Sequence, residues 1–168
     1  YFFSMYLLSQ GILSHGKQFR AVWTSFFCDL VDFCSDLGAS KIVVGSPKLR
    51  NLLPGVSFNQ ALDLAAETFM ASVRRAEDKN VTICFEPLAP SETDFINTAE
   101  QAVDFIGQFG SDSFKIILDV KAMCSEAKSI PEIIKDSHPH FSYFHCNDEN
   151  LKGPGFGNVD FLPIFKSL

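Results

Sequence analysis

The chain has 168 residues, 46% of them hydrophobic, which suits one domain (1–168) with a substantial core, and its formal net charge is −6. That acidic balance, with no long basic run, argues against a nucleic-acid or anionic-membrane surface. The five cysteines form no CxxC pair, and Cys28, Cys34 and Cys84 fall at apolar positions. They read as small core residues of a protein in a reducing, cytoplasmic compartment.

The opening run YFFSMYLLSQGIL has no basic flank and is too short to cross a bilayer, so it reads as a buried strand over 4–13. From residue 17 to 37 the pattern turns helical, with Phe19, Val22, Phe26, Phe27, Leu30, Val31, Phe33 and Cys34 on one stripe and Gly38 placed to end it. KIVV at 41–44 is a β-branched strand broken by Gly45-Ser46-Pro47. A second helix is expected over 59–78, closed by the turn-forming Asp78-Lys79-Asn80.

The stretch VTICFEPLAP (81–90) is the most informative of the chain. Its apolar residues show no polar alternation, as in a strand buried on both faces. Pro87 has no N–H to give a ladder and biases Glu86 toward an extended backbone, so the strand stops at the acid and presents it at its C-terminal end. A third helix follows, capped by Asn97 or Thr98, with Glu100 in its first turn. IILDV (116–120) is the next strand, again closed by an acid, Asp119. A shorter helix near Pro131, a strand SYFHC (142–146) ending about His145, and a helix beginning at Phe161 complete the order. Strict alternation of five strands with helices argues for an α/β protein with a parallel sheet.

In a parallel sheet the strand ends share one edge, so Glu86, Asp119 and His145 could converge there. Two carboxylates and an imidazole suit Mn, Mg, Co or Zn. Each also has a plain structural reading: Glu86 as an ion-pair partner, Asp119 as a helix cap, His145 as a hydrogen-bonded core histidine. Three such groups at consecutive strand ends favour function. In the loop GSPKLRN, Lys48 and Arg50 could bind a phosphate or sugar hydroxyls, or be solvated loop charges. His15 is a weaker candidate on the same edge, and Asp148, just after His145, is a possible substrate contact.

GSPKLRN after KIVV, then CFEPL, ILDV, FHCNDEN and GPGFGNVDF, in this order, resemble the xylose isomerase-like TIM barrel superfamily, and within it the sugar phosphate isomerase/epimerase group. The resemblance implies a (β/α)8 barrel with a divalent metal at its C-terminal rim. It makes Glu86, Asp119 and His145 three of four metal ligands, and Glu86 a catalytic acid/base. It also implies a small sugar or sugar phosphate as substrate, converted through an enediolate. A complete barrel needs about 250 residues, so the five strands are expected to be the third to seventh of a partial barrel, with the fourth ligand beyond Leu168. The open edges of such a sheet leave room for a homo-oligomer. Two departures matter: Ala122 stands where many relatives carry a histidine, and Gly45 ends the KIVV strand where a histidine would serve a trinuclear zinc nuclease. A nuclease is therefore not expected. A polyol dehydratase of the same superfamily, or a catalytically silent barrel used for binding, are the other readings.

Overall fold

The computed structural model describes residues 11–13 and 16–168. The first helix, α1 (Lys17–Asp36), buries Trp23, Phe27, Val31 and Cys34 along its stripe. Gly38 then takes a left-handed φ of 71°, and the Ala39 N–H returns to the Cys34 carbonyl at 2.9 Å. Next come β1 (Lys41–Val44) and a 3₁₀ turn (Pro47–Leu49). Helix α2 (Phe58–Lys79) opens on a reciprocal cap, in which the Gln60 N–H donates to Ser57 Oγ and the Ser57 N–H donates to Gln60 Oε1. It ends at Asn80, whose φ of 54° is one an asparagine tolerates. The order continues with β2 (Thr82–Phe85), α3 (Ala99–Gly107), β3 (Phe114–Asp119), the single-turn α4 (Val120–Met123), α5 (Ile130–Ser137), β4 (Phe141–His145) and α6 (Phe161–Ser167).

All strand pairings are parallel, in the order β1-β2-β3-β4. The alternation and the parallel sheet expected from the sequence are present. The strand expected over 4–13 falls mostly outside the described residues, so the described sheet has four strands rather than five. Two details differ from expectation. Strand β3 begins at Phe114 rather than residue 116, and Cys28 is half-buried on the helix flank, whereas Cys34 and Cys84 are buried as expected. Among the described residues no helix is long and apolar enough to cross a membrane.

The two faces of the sheet do different work. Ile83, Phe85, Ile116 and Leu118 join the helices' core, where the rings of Phe69, Phe85, Phe105 and Phe114 pack at centroid separations of 5.2–6.4 Å. Four of the chain's 18 phenylalanines meet in this cluster. Period-two alternation turns Cys84, Ile117, Asp119 and Glu86 to the opposite face. That face is concave. Lys41 Nζ on β1 donates to the Ser142 carbonyl on β4 at 2.5 Å, whereas in a flat sheet strands three places apart lie about 14 Å from each other. The curvature brings the ends of β2, β3 and β4 toward one point, as at the rim of a barrel.

Candidate metal centre at the strand ends

Glu86, Asp119 and His145 meet at the C-terminal edge of the sheet. One donor atom from each lies within 4.8 Å of the others. His145 Nδ1 is 3.2 Å from Asp119 Oδ2 and 3.5 Å from Glu86 Oε1. The carboxylates are 12% and 9% exposed, for Glu86 and Asp119 respectively, while the imidazole is 42% exposed, so the cluster has dry walls and one open side.

The two carboxylates are positioned by their local sequence. The Glu86 N–H donates to the Val44 carbonyl at 3.0 Å, which extends the parallel ladder one step past β2 before Pro87 ends it. Gly45 provides the space for the side chain, because a β-carbon at Gly45 would overlap Glu86 Oε2. Asp119 is both a cap and a candidate ligand. Its Oδ1 accepts from the Ala122 N–H at 3.1 Å, starting α4, while Oδ2 faces His145. The cap reading is therefore realised on Oδ1, and Oδ2 stays available to an ion.

The electrostatics suit a cation. Burial pushes the Glu86 carboxyl up from its ordinary value of 4.5, the neighbouring Asp119 charge pushes it further, and His145 and Arg50 pull it back only in part. Two desolvated carboxylates with donor oxygens within 4.8 Å repel each other, and a divalent ion between them would reverse that sign. Two carboxylate oxygens and one imidazole nitrogen, open on one side, fit Mn, Mg, Co or Zn with positions left for a substrate.

The other expected site residues lie around this centre at different depths. Lys48 is exposed on the 3₁₀ turn. Arg50, read from the sequence as either a phosphate or sugar contact or a solvated loop charge, is 1% exposed. Its Nη2 donates to the Glu86 carbonyl at 2.6 Å, its guanidinium carbon sits 4.8 Å above the Phe85 ring, and burial lowers its pKa to about 10. Nε and Nη1 of Arg50 have no partner among the described residues. Asp148 is fully buried rather than solvated: Oδ1 accepts from the Glu149 N–H at 2.9 Å, and Gly157 lacks a side chain where the carboxylate packs. His15 lies outside the described residues.

Sequence reasoning missed three participants. Asn147 donates from Nδ2 to Asp119 Oδ2 at 3.1 Å and accepts at Oδ1 from the Lys121 N–H at 3.3 Å. Lys121, on the single-turn helix after β3, and Glu92, in the loop after β2, form an ion pair at 2.7 Å. Nothing in their local sequence marked them; only the folded rim makes them neighbours.

A family model described as xylose isomerase-like TIM barrel matches residues 5–168. The chain belongs to that family. It is 31% identical over 104 residues to a D-psicose 3-epimerase of Ruminiclostridium cellulolyticum, covering 62% of this chain and 36% of the relative. It is 28% identical over 140 residues to a ketose 3-epimerase of Arthrobacter globiformis, covering 82% and 48%. The crystal structure of D-psicose 3-epimerase with D-tagatose from Clostridium cellulolyticum H10 superposes with a TM-score of 0.87 at 24% identity, over 96% of this chain and 56% of that one. That of 3-keto-D-glucoside 4-epimerase from E. coli gives 0.82 at 18% identity, over 94% and 62%. At these identities the structural likeness establishes the shared fold, here as part of a barrel. The chain spans under half the length of the two curated relatives.

Proposed function

We propose that the full-length protein is a divalent-metal-dependent epimerase or isomerase acting on a small ketose or its phosphate. The observation that carries this reading is the convergence of Glu86, Asp119 and His145 within 4.8 Å at the strand ends. Family membership and relatives that are themselves ketose 3-epimerases support it.

In this reading Glu86, Asp119 and His145 hold the ion. A divalent ion there supplies Lewis-acid stabilisation of negative charge on adjacent carbonyl and hydroxyl oxygens of the sugar. Glu86 is also the base. It would act through a carboxylate oxygen left free by the ion, on the proton of the carbon beside the carbonyl. The C–H bond breaks, the proton goes to a Glu86 oxygen, and the electron pair forms the C=C bond of an enediolate. Return of a proton to the opposite face of the same carbon, from the fourth, glutamate ligand that the family resemblance implies, gives the epimer; return by Glu86 to the neighbouring carbon gives the aldose–ketose isomer. His145, the most exposed of the three, borders the open side from which substrate enters. Lys48, exposed on the 3₁₀ turn, would contact a distal phosphate or hydroxyl. Arg50 braces the end of β2 through the Glu86 carbonyl, and Asp148 braces the turn that follows His145.

The test is product analysis on a panel of free and phosphorylated ketoses with and without Mn²⁺. Metal-dependent conversion to an epimer or isomer is expected. Loss of water without isomerisation would make the protein a dehydratase, and turnover indifferent to metal would remove the proposal.

A further inference from the structure

We infer that Asn147 is a positioning residue for the metal centre, the group that orients Asp119 for coordination; this rests on the metal-site reading above. Asp119 has two oxygens with different duties. Oδ1 is committed to the Ala122 N–H, so Oδ2, 3.2 Å from His145 Nδ1, is the oxygen left for an ion. The direction in which the remaining Oδ2 lone pairs point therefore decides whether the three donors share a focus. Asn147 Nδ2 donates to that same oxygen at 3.1 Å.

The amide orientation is fixed by chemistry at both ends. The Lys121 backbone N–H can only donate, so it meets Asn147 Oδ1; the Asp119 carboxylate can only accept, so it meets Nδ2. Asn147 thus bridges the end of β4 to the start of α4 and clamps Asp119 from the side opposite its cap. A carboxylate held on one oxygen alone can rotate about its last bond. Held on both, it keeps one orientation whether or not an ion is bound. Outer hydrogen bonds of this kind typically contribute about 10- to 100-fold in metal affinity.

A purely structural role is the competing account, since Asn147 also anchors the loop after β4. Asn150 provides the control. Its Nδ2 clasps the same loop by donating to the Phe156 carbonyl at 2.7 Å, and it makes no bond to Asp119. The experiment measures Mn²⁺ affinity by calorimetry and thermal unfolding in EDTA for the full-length protein, Asn147→Ala and Asn150→Ala. Asn147→Ala is expected to weaken Mn²⁺ about 10- to 100-fold at little change in metal-free unfolding temperature, while Asn150→Ala keeps wild-type affinity. Equal weakening in both variants, or none in Asn147→Ala, overturns the inference in favour of loop order alone. If Asn147→Ala does not fold, Asn147→Asp keeps the shape and the acceptor for Lys121. Its Co²⁺ absorption spectrum is then expected to differ from wild type, and an identical spectrum overturns the inference. Wild-type protein that binds no Mn²⁺ would instead remove the metal-site reading on which the inference stands.

Discussion

Gly45 and Glu86 occupy complementary volumes: a β-carbon on the glycine would overlap the terminal oxygen of the glutamate. The contact joins the ends of two adjacent strands, β1 and β2, at the rim. Gly45 has no left-handed φ to explain it, so the residue is required for the close approach alone.

Gly45→Ala therefore separates stability from function. The overlapped atoms lie at the far end of a flexible side chain, so Glu86 can swing away and the fold is expected to lose about 1 kcal/mol or less. The carboxylate, however, leaves the focus of the site. A displacement of this size in a reacting group costs about 100-fold in rate, and Mn²⁺ affinity should fall with it. Chemical denaturation beside metal titration checks the pair of outcomes. A variant that unfolds while keeping wild-type affinity would contradict this account.

Glu86 also sets a pH dependence for the metal-free protein. Its folded pKa lies above the ordinary 4.5, so in the pH range above 4.5 the native state binds more protons than the unfolded one. Stability must then fall as pH rises from the unfolded value through the folded one, the reverse of a carboxylate in a favourable ion pair. A bound cation offsets this loss. Unfolding temperatures in EDTA should drop across that window, the gain on adding Mn²⁺ should be larger at neutral than at acid pH, and Glu86→Gln should raise the metal-free value while abolishing the metal-dependent gain.

Arg50 is expected to be worth more to the site than to the fold. Its bond to the Glu86 carbonyl contributes about 1.5–3 kcal/mol as a charged hydrogen bond, but each buried donor left unmade costs about 1–3 kcal/mol. Nε and Nη1 are two such donors among the described residues. Together they cost about 2–6 kcal/mol, at least as much as the bond contributes, so Arg50→Met, which keeps the packing on Phe85, should leave stability unchanged or raise it. It should lower turnover, because the strand end carrying Glu86 loses its tether. Denaturation midpoints and steady-state kinetics on the same variant check both halves.

Much of the frame was legible in the sequence, and for local reasons. The stripe from Phe27 to Cys34, the stop at Gly38, the start at Thr98 and the acid before Pro87 each depend on residues a few positions apart. Asp119 was legible only as a choice between cap and ligand, because a sequence does not show that a carboxylate can serve each purpose with a different oxygen. The sequence leaves Arg50 between a substrate contact and a solvated loop charge, and its burial was not legible because it depends on Phe85 and on the Glu86 backbone, 36 residues away. Asn147 was invisible for a similar reason: its two bonds reach 26 and 28 residues back, and an asparagine in a loop has no periodicity to betray it. The one-turn helix α4 escaped because four residues are too few to show a helical stripe.

The central claim is that Glu86 removes a carbon-bound proton from a ketose at a metal centre shared with Asp119 and His145. The most direct measurement follows solvent deuterium into D-psicose, D-fructose and D-tagatose by NMR, with the Mn²⁺-loaded full-length protein in D₂O. Deuterium is expected at the carbon beside the carbonyl together with a new epimer or isomer, and both should vanish with EDTA or in Glu86→Gln. Undiminished exchange in Glu86→Gln would contradict the account, as would conversion that incorporates no solvent deuterium.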